Sequence, residues 1–190
     1  MPPLLRVDDS PLTGARRDRA LRLLNGPEME RFETATDPHP ERFLTGRMLL
    51  RELVAELSGR ELGSITVTAA CPDCGREHGQ PRVSGLHVSL SHAGHRVIAA
   101  AHPDRAIGVD IESRDVSPER VAAIRTIAGA GGLEHWTRIE AVLKADGRGL
   151  RVDPRAVRLD GDTATLDGSR YELADASDDR YIATVATRLP

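Results

Sequence analysis

The sequence predicts an α+β fold, and three observations carry that expectation. Apolar residues recur at helical spacing in the first third, short runs near the middle alternate with period two, and the tail alternates again between Asp-Gly turns. In chain order, residues 4–7 read as an edge strand and residues 16–24 as a helix. Pro27 opens another helical stretch containing Glu30 and Arg31. After Asp37-Pro38-His39-Pro40, residues 41–57 form the clearest helix, with Phe43, Leu50, Val54 and Leu57 on one stripe and Gly59 just past its end. Residues 65–69 alternate like a strand, and residues 71–85, rich in Gly and Pro, read as a loop. Strands are expected at 87–91, 96–101 and 107–112, with a turn at His102-Pro103-Asp104 as the midpoint. Ser117-Pro118 then starts a helix running to about residue 128, and a glycine stretch at 129–132 separates it from a helix around Trp136. Residues 157–160, 164–166, 171–173 and 181–186 read as a small antiparallel sheet, with turns at Asp160-Gly161 and Asp167-Gly168. No sequence repeat stands out, although both halves share a loose pattern of helix plus a few strands.

Composition narrows the function classes. The chain has 190 residues, 39% of them hydrophobic, enough to bury a core as one domain or two small lobes. A net charge of −3 and 3% aromatics argue against a nucleic-acid-binding protein, despite the many arginines. Two cysteines make no disulfide framework. No apolar run approaches a membrane span, and Met1-Pro2-Pro3-Leu4-Leu5-Arg6 lacks a secretory core, so a cytoplasmic protein is expected.

The chemistry gathers at Gly108-Val109-Asp110-Ile111-Glu112. Residues two apart on a strand share a face, so Asp110 and Glu112 point the same way, outward, while Val109 and Ile111 face the core. A further carboxylate, Glu140, lies on a helical segment with Lys144 at i, i+4. Three carboxylates and a cation suit Mg²⁺ holding a phosphate ester. Each fragment alone also fits ordinary surface decoration; their joint occurrence gives them meaning. Lys144 is the sole lysine among 26 cationic residues.

Upstream, Val88-Ser89-Leu90-Ser91-His92-Ala93-Gly94 ends a strand in a hydroxyl, an imidazole and a glycine turn, a tip able to take a phosphate oxygen. Ser91 and His92 are adjacent on a strand and point to opposite faces, which disfavours a nucleophile–base pair. Arg47 and Arg51 share a helix face with Arg42 nearby, and a solvated basic face is the default reading. Cys71-Pro72-Asp73-Cys74 with His78 resembles half a zinc knuckle. Closure needs a fourth ligand, for which His87 and His92 are candidates, and the plainer reading is a tight turn. Gly129-Ala130-Gly131-Gly132 follows no strand and is no dinucleotide fingerprint.

Taken in order, Thr45-Gly46-Arg47 through Arg51, Gly79-Gln80-Pro81, Ser89-Leu90-Ser91-His92, Gly108 to Glu112, Trp136 to Lys144 and Gly147-Arg148-Gly149-Leu150 resemble the motif series of the 4′-phosphopantetheinyl transferase superfamily, surfactin-synthetase-activating type. The Cys71–Cys74 loop is similar to one carried by actinobacterial members. The resemblance implies transfer of phosphopantetheine from coenzyme A to a serine of an acyl- or peptidyl-carrier protein by a monomer. It implies a pseudo-dimer of two similar α/β halves with coenzyme A between them: an N-terminal subdomain over residues 1–103 and a C-terminal one over 104–190. By motif matching, Asp110, Glu112 and Glu140 would hold Mg²⁺, and Glu140 or a metal-bound water would deprotonate the carrier serine. Lys144, His92, Ser91, Gln80, Pro81 and Asp110 would line the coenzyme A site, with Arg31, Arg42 and Arg47 toward its 3′-phosphate and adenine end.

Three departures from the pattern stand out. Gln80 replaces a common lysine, which removes a charge near coenzyme A. Ile139 replaces another, a change expected to alter only the surface. The segment between Glu112 and Glu140 is shorter than in many relatives, where it helps dock the carrier. A non-catalytic coenzyme A- or carrier-binding relative is therefore the alternative, and a zinc-knuckle nucleic-acid module a more distant one.

Overall fold

The computed structural model describes residues 2–36, 39–129 and 131–190, so Met1, Asp37-Pro38 of the expected link and Ala130 of the glycine stretch lie outside the described residues. The fold mixes five α-helices with two antiparallel sheets among these residues, and residues 2–103 and 104–190 form separate compact units.

In the N-terminal unit the strands β1 (Leu4–Asp8), β2 (His87–Ala93) and β3 (Arg96–His102) form a sheet of order β1-β3-β2. Every residue of central β3 is buried. Three helices precede the hairpin: α1 (Gly14–Leu23), α2 (Gly26–Thr34) and α3 (His39–Ser58). The α3 residues Leu49, Leu50, Leu53 and Val54 pack on Val88, Val97, Ala99 and Ala101 of the sheet. Gly46 lets α3 approach β2, because a Cβ there would meet Leu90 Cδ2 at 2.6 Å. Residues 65–69 depart from expectation. Ile65, Val67 and Ala69 are buried alternately, but the segment makes only a single bridge, Thr68 to Arg82. Alternation reports which side chains are buried, whereas a ladder needs a partner, and the facing chain turns away on one side of the bridge, where Val83 pairs with Leu86.

In the C-terminal unit β4 (Ile107–Ser113) is an edge strand of a five-stranded sheet. It pairs with β8 (Tyr181–Arg188), followed in order by β7 (Ser169–Asp175), β6 (Thr163–Leu166) and β5 (Arg158–Asp160). The hairpin at Asp167-Gly168 has positive φ at both residues, +48° and +80°, as a type I′ turn requires. The neighbouring turn is set one residue later than expected: Asp160 pairs with Thr163, so Gly161 and Asp162 make the loop. Helix α4 (Pro118–Ala128) starts at its Ser117 cap, and α5 (Gly132–Asp146) buries Trp136, Ile139, Val142 and Leu143 against Ala164, Leu166, Tyr171 and Leu173. Ile139, expected at the surface, is 1% exposed and part of this core. The helix pattern places it one residue from Glu140 and therefore on a different face.

Candidate active site

The C-terminal site is built on one close approach. A Cβ on Gly108 would lie 1.9 Å from the Ala141 carbonyl oxygen and 2.4 Å from the Ala145 N, so only glycine lets α5 rest directly on β4. Because Gly108, Asp110 and Glu112 share a face, the two carboxylates lie on the helix-covered side of the strand. The expectation that they face outward to solvent is corrected here: Asp110 is 3% and Glu112 8% exposed. The period-two reasoning held, but a helix covers the face that was assigned to water.

Lys144 Nζ donates to Asp110 Oδ1 at 2.6 Å and lies 3.8 Å from Glu140 Oε2. Arg120 of α4 forms an ion pair with Glu112. Burial, then the neighbouring Asp110 charge, pushes the Glu140 carboxyl up to about 7, although Lys144 pulls the other way. Hydrogen bonding to Asp110 and the Glu112 charge add to the rise. The three acids thus sense one another. Even so, a mutual approach within 4.8 Å among described metal-ligand groups is made by Cys71, Cys74 and His78, not by these carboxylates. Lys144 bridges Asp110 and Glu140, while Glu112 pairs with Arg120. The donor set is all-oxygen and anionic, and the charges of Asp110 and Glu112 add to burial in raising Glu140, so the set fits a hard divalent cation. Thr137 and Thr184 adjoin the site, 3.2 Å apart through their hydroxyls, with Thr184 opposite Asp110 in the β4–β8 pairing. The same two threonines help line a cleft of about 220 Å³ with Arg114, Glu134 and Arg138, which contains none of the expected site residues.

The other expected residues belong to the N-terminal unit. Ser91 and His92 sit on β2 opposite Ile98 and Val97, Ser91 buried and His92 exposed, on opposite faces as adjacent strand residues must be. Arg42 Nη1 donates to the Gly94 carbonyl at 3.3 Å, two residues past His92, and Arg42 Nη2 contacts His39 Nδ1. Arg31 and Arg47 both stack on Phe43, their guanidinium carbons 5.0 and 4.7 Å from the ring centre. Arg31 Nη1 also donates to the Glu77 carbonyl at 2.7 Å, and burial lowers the Arg31 pKa. Gln80 and Pro81 are half-buried beside this loop.

The solvated basic face expected on α3 is absent. Arg47 and Arg51 are 4% and 2% exposed, and both converge on buried Glu28. Arg51 donates to both Glu28 oxygens, at 2.6 and 3.3 Å. Arg47 Nε lies 2.9 Å from Glu28 Oε1, an ion-pair distance without the alignment of a hydrogen bond. Burial lowers Arg47 to about 10 against the opposing pull of Glu28. Glu28 was missed by the sequence reading, yet a signal existed. Asn25 and Glu28 form a capping box, with Glu28 N donating to Asn25 Oδ1 at 2.9 Å and Asn25 N to Glu28 Oε2 at 3.1 Å.

Fold and site together define an α+β protein whose edge strand and covering helix present clustered carboxylates balanced by cations. No family model matches the chain. It is 34% identical over 110 residues to the 4′-phosphopantetheinyl transferase ffp of Bacillus subtilis, a match covering 55% of this chain and 45% of that protein. The match supports the superfamily that the ordered motifs suggest. The chain thus spans less than half the length of the curated relative. None of the described helices is long and apolar enough to cross a membrane.

Proposed function

We propose that the protein transfers the 4′-phosphopantetheine group of coenzyme A to a serine of an acyl- or peptidyl-carrier protein, releasing adenosine 3′,5′-bisphosphate, in a Mg²⁺-dependent reaction. The observation that carries this reading is the Asp110–Lys144–Glu140 cluster on a strand and helix whose motifs resemble the transferase series. The carrier serine oxygen forms a bond to the phosphorus of the pantetheine-side phosphate, and the bond from that phosphorus to the bridging oxygen breaks. Glu140, whose carboxyl pKa is raised by burial in the metal-free chain, or a water held beside it would receive the serine proton. Asp110, Glu112 and Glu140 would hold Mg²⁺, which when bound supplies positive charge to the pyrophosphate. Lys144 adds a point charge for a phosphate oxygen, and the exposed His92 contacts another, with Ser91 nearby on the same strand. Arg31, Arg42, Arg47, Gln80 and Pro81 complete the proposed coenzyme A contacts, with Arg47 already committed in part to Glu28.

Each unit packs helices on an antiparallel sheet, and this shared plan is what supports reading the halves as related. The reading carries with it a cytoplasmic monomer. Incubation with coenzyme A, Mg²⁺ and a panel of apo-carriers, followed by intact mass measurement, tests it. A carrier gaining the phosphopantetheine mass supports transfer. Coenzyme A binding by calorimetry with no mass gain on any carrier would replace it with the non-catalytic relative that the short segment between Glu112 and Glu140 suggests.

A further inference from the structure

We propose that Cys71, Cys74 and His78 form a structural zinc site that fixes the loop beneath Arg31, with the metal itself taking no part in the transfer chemistry. One ligand atom from each residue lies within 4.8 Å of the other two, and Cys74 Sγ is 3.0 Å from His78 Nε2. Tetrahedral zinc with sulfur and nitrogen ligands sets ligand atoms about 3.3–3.8 Å apart, so small side-chain shifts suffice. Two thiolates and an imidazole select zinc over the hard cation fitted to the acidic site.

The backbone is already folded for this. Gly75 N donates to the Cys71 carbonyl at 2.8 Å and Cys71 N to the Arg76 carbonyl at 2.8 Å, which turns both thiols to one side. Gly75, directly after the second cysteine, has φ +73°. Asp73 lies beside the cluster, its Oδ2 3.8 Å from Cys71 Sγ, without joining it, which leaves the fourth position to solvent at the exposed Cys74 and His78. His87 and His92 lie outside the cluster.

The loop has no regular element of its own, so a metal replaces the missing ladder. Its far side meets the rest of the unit through Glu77: the Glu77 carboxylate accepts from Ala69 N at 2.5 Å, and its carbonyl accepts from Arg31. Gly79 closes the loop against the Ala69 carbonyl, where a Cβ would lie 2.6 Å from the Ala70 oxygen. Zinc at one end thereby sets the carbonyl that orients Arg31 at the other.

Metal analysis of the whole purified chain should find one zinc per molecule. After reduction and chelation, added Co²⁺ should give the visible bands of a tetrahedral site and a thiolate-to-cobalt charge-transfer band, and Zn²⁺ should bleach both. Cys74→Ser and His78→Gln replace exposed side chains, so circular dichroism should show them folded, and Cys74→Ser should lose most of the charge-transfer band. Hydrogen exchange across residues 71–79 should quicken on zinc removal. Absence of zinc together with absence of a charge-transfer band in the reduced chain would overturn the site, as would an unchanged band in folded Cys74→Ser. None of these readouts depends on transfer to a carrier, so loss of the enzymatic reading leaves this test intact.

Discussion

Lys144 reaches from α5 to Asp110 on β4 and places its Nζ 2.6 Å from Oδ1. The Asp110 side chain is only 4% exposed, so this ammonium supplies a charge that water does not. Lys144→Ala should leave a buried carboxylate uncompensated and cost about 3 kcal/mol in urea unfolding, the range measured when one partner of a buried pair is removed. The same variant should raise KM for coenzyme A or lower kcat at least tenfold, with Lys144→Arg recovering part of the activity. Wild-type kinetics in Lys144→Ala would make the residue a structural strut alone.

Glu140 should give folding stability a distinctive slope. Its carboxyl holds a proton more tightly in the folded chain than in the unfolded one, because of burial and the facing charges of Asp110 and Glu112, with Lys144 opposing. Protonation therefore favours folding: the contribution is full below about 4.5 and lost as pH rises through about 7. Its size is roughly 3 kcal/mol. Glu140→Gln should flatten that slope in denaturation measured from pH 4.5 to 8, and an unchanged slope would exclude Glu140 as its source.

Arg120 competes with any cation for Glu112. Arg120→Ala should lower the Mg²⁺ concentration needed for half-maximal binding by severalfold, read by calorimetry, since removing a cation strengthens the local negative potential. Weaker Mg²⁺ binding in the variant would show that Arg120 positions Glu112 rather than competing for it.

Glu28 joins two buried arginines and a helix cap. Glu28→Gln keeps the shape but strands two guanidinium charges, and should destabilise the chain by about 3–5 kcal/mol. Near-neutral unfolding free energy for this variant would mean that water reaches the arginines.

Gly108→Ala drives a Cβ into the Ala141 carbonyl, a backbone group that cannot step aside. The variant should fail to fold or displace α5, and in either case lose Mg²⁺ binding. A folded variant with unchanged Mg²⁺ affinity would remove the close approach from the account of the site.

Much of the fold was legible because its signals are local. The Ser117-Pro118 start of α4, Gly59 after α3 and the Asp167-Gly168 hairpin each depend on residues within a turn of one another. The carboxylates and Lys144 were also legible as a group, since period two and i, i+4 spacing fix relative direction within an element. Spacing cannot say what covers a face. Asp110 and Glu112 pointed together as expected, but only the packing of α5 on Gly108 made that face an interior one.

Tertiary structure likewise turned Arg47 and Arg51 from a basic surface into the partners of a buried Glu28, because the acid comes from a different helix. Residues 65–69 kept their alternation and lost their strand because the facing chain pairs with them in a single bridge and then turns away. Cys71, Cys74 and His78 were visible as a spacing, yet their convergence depends on how the chain turns at Gly75. The sequence by itself determined element types, caps and the inventory of chemical groups, since these follow from neighbours along the chain. Burial, charge pairing and the shift of Glu140 were decided only by the tertiary structure, since they depend on groups far apart in sequence sharing a space from which water is excluded.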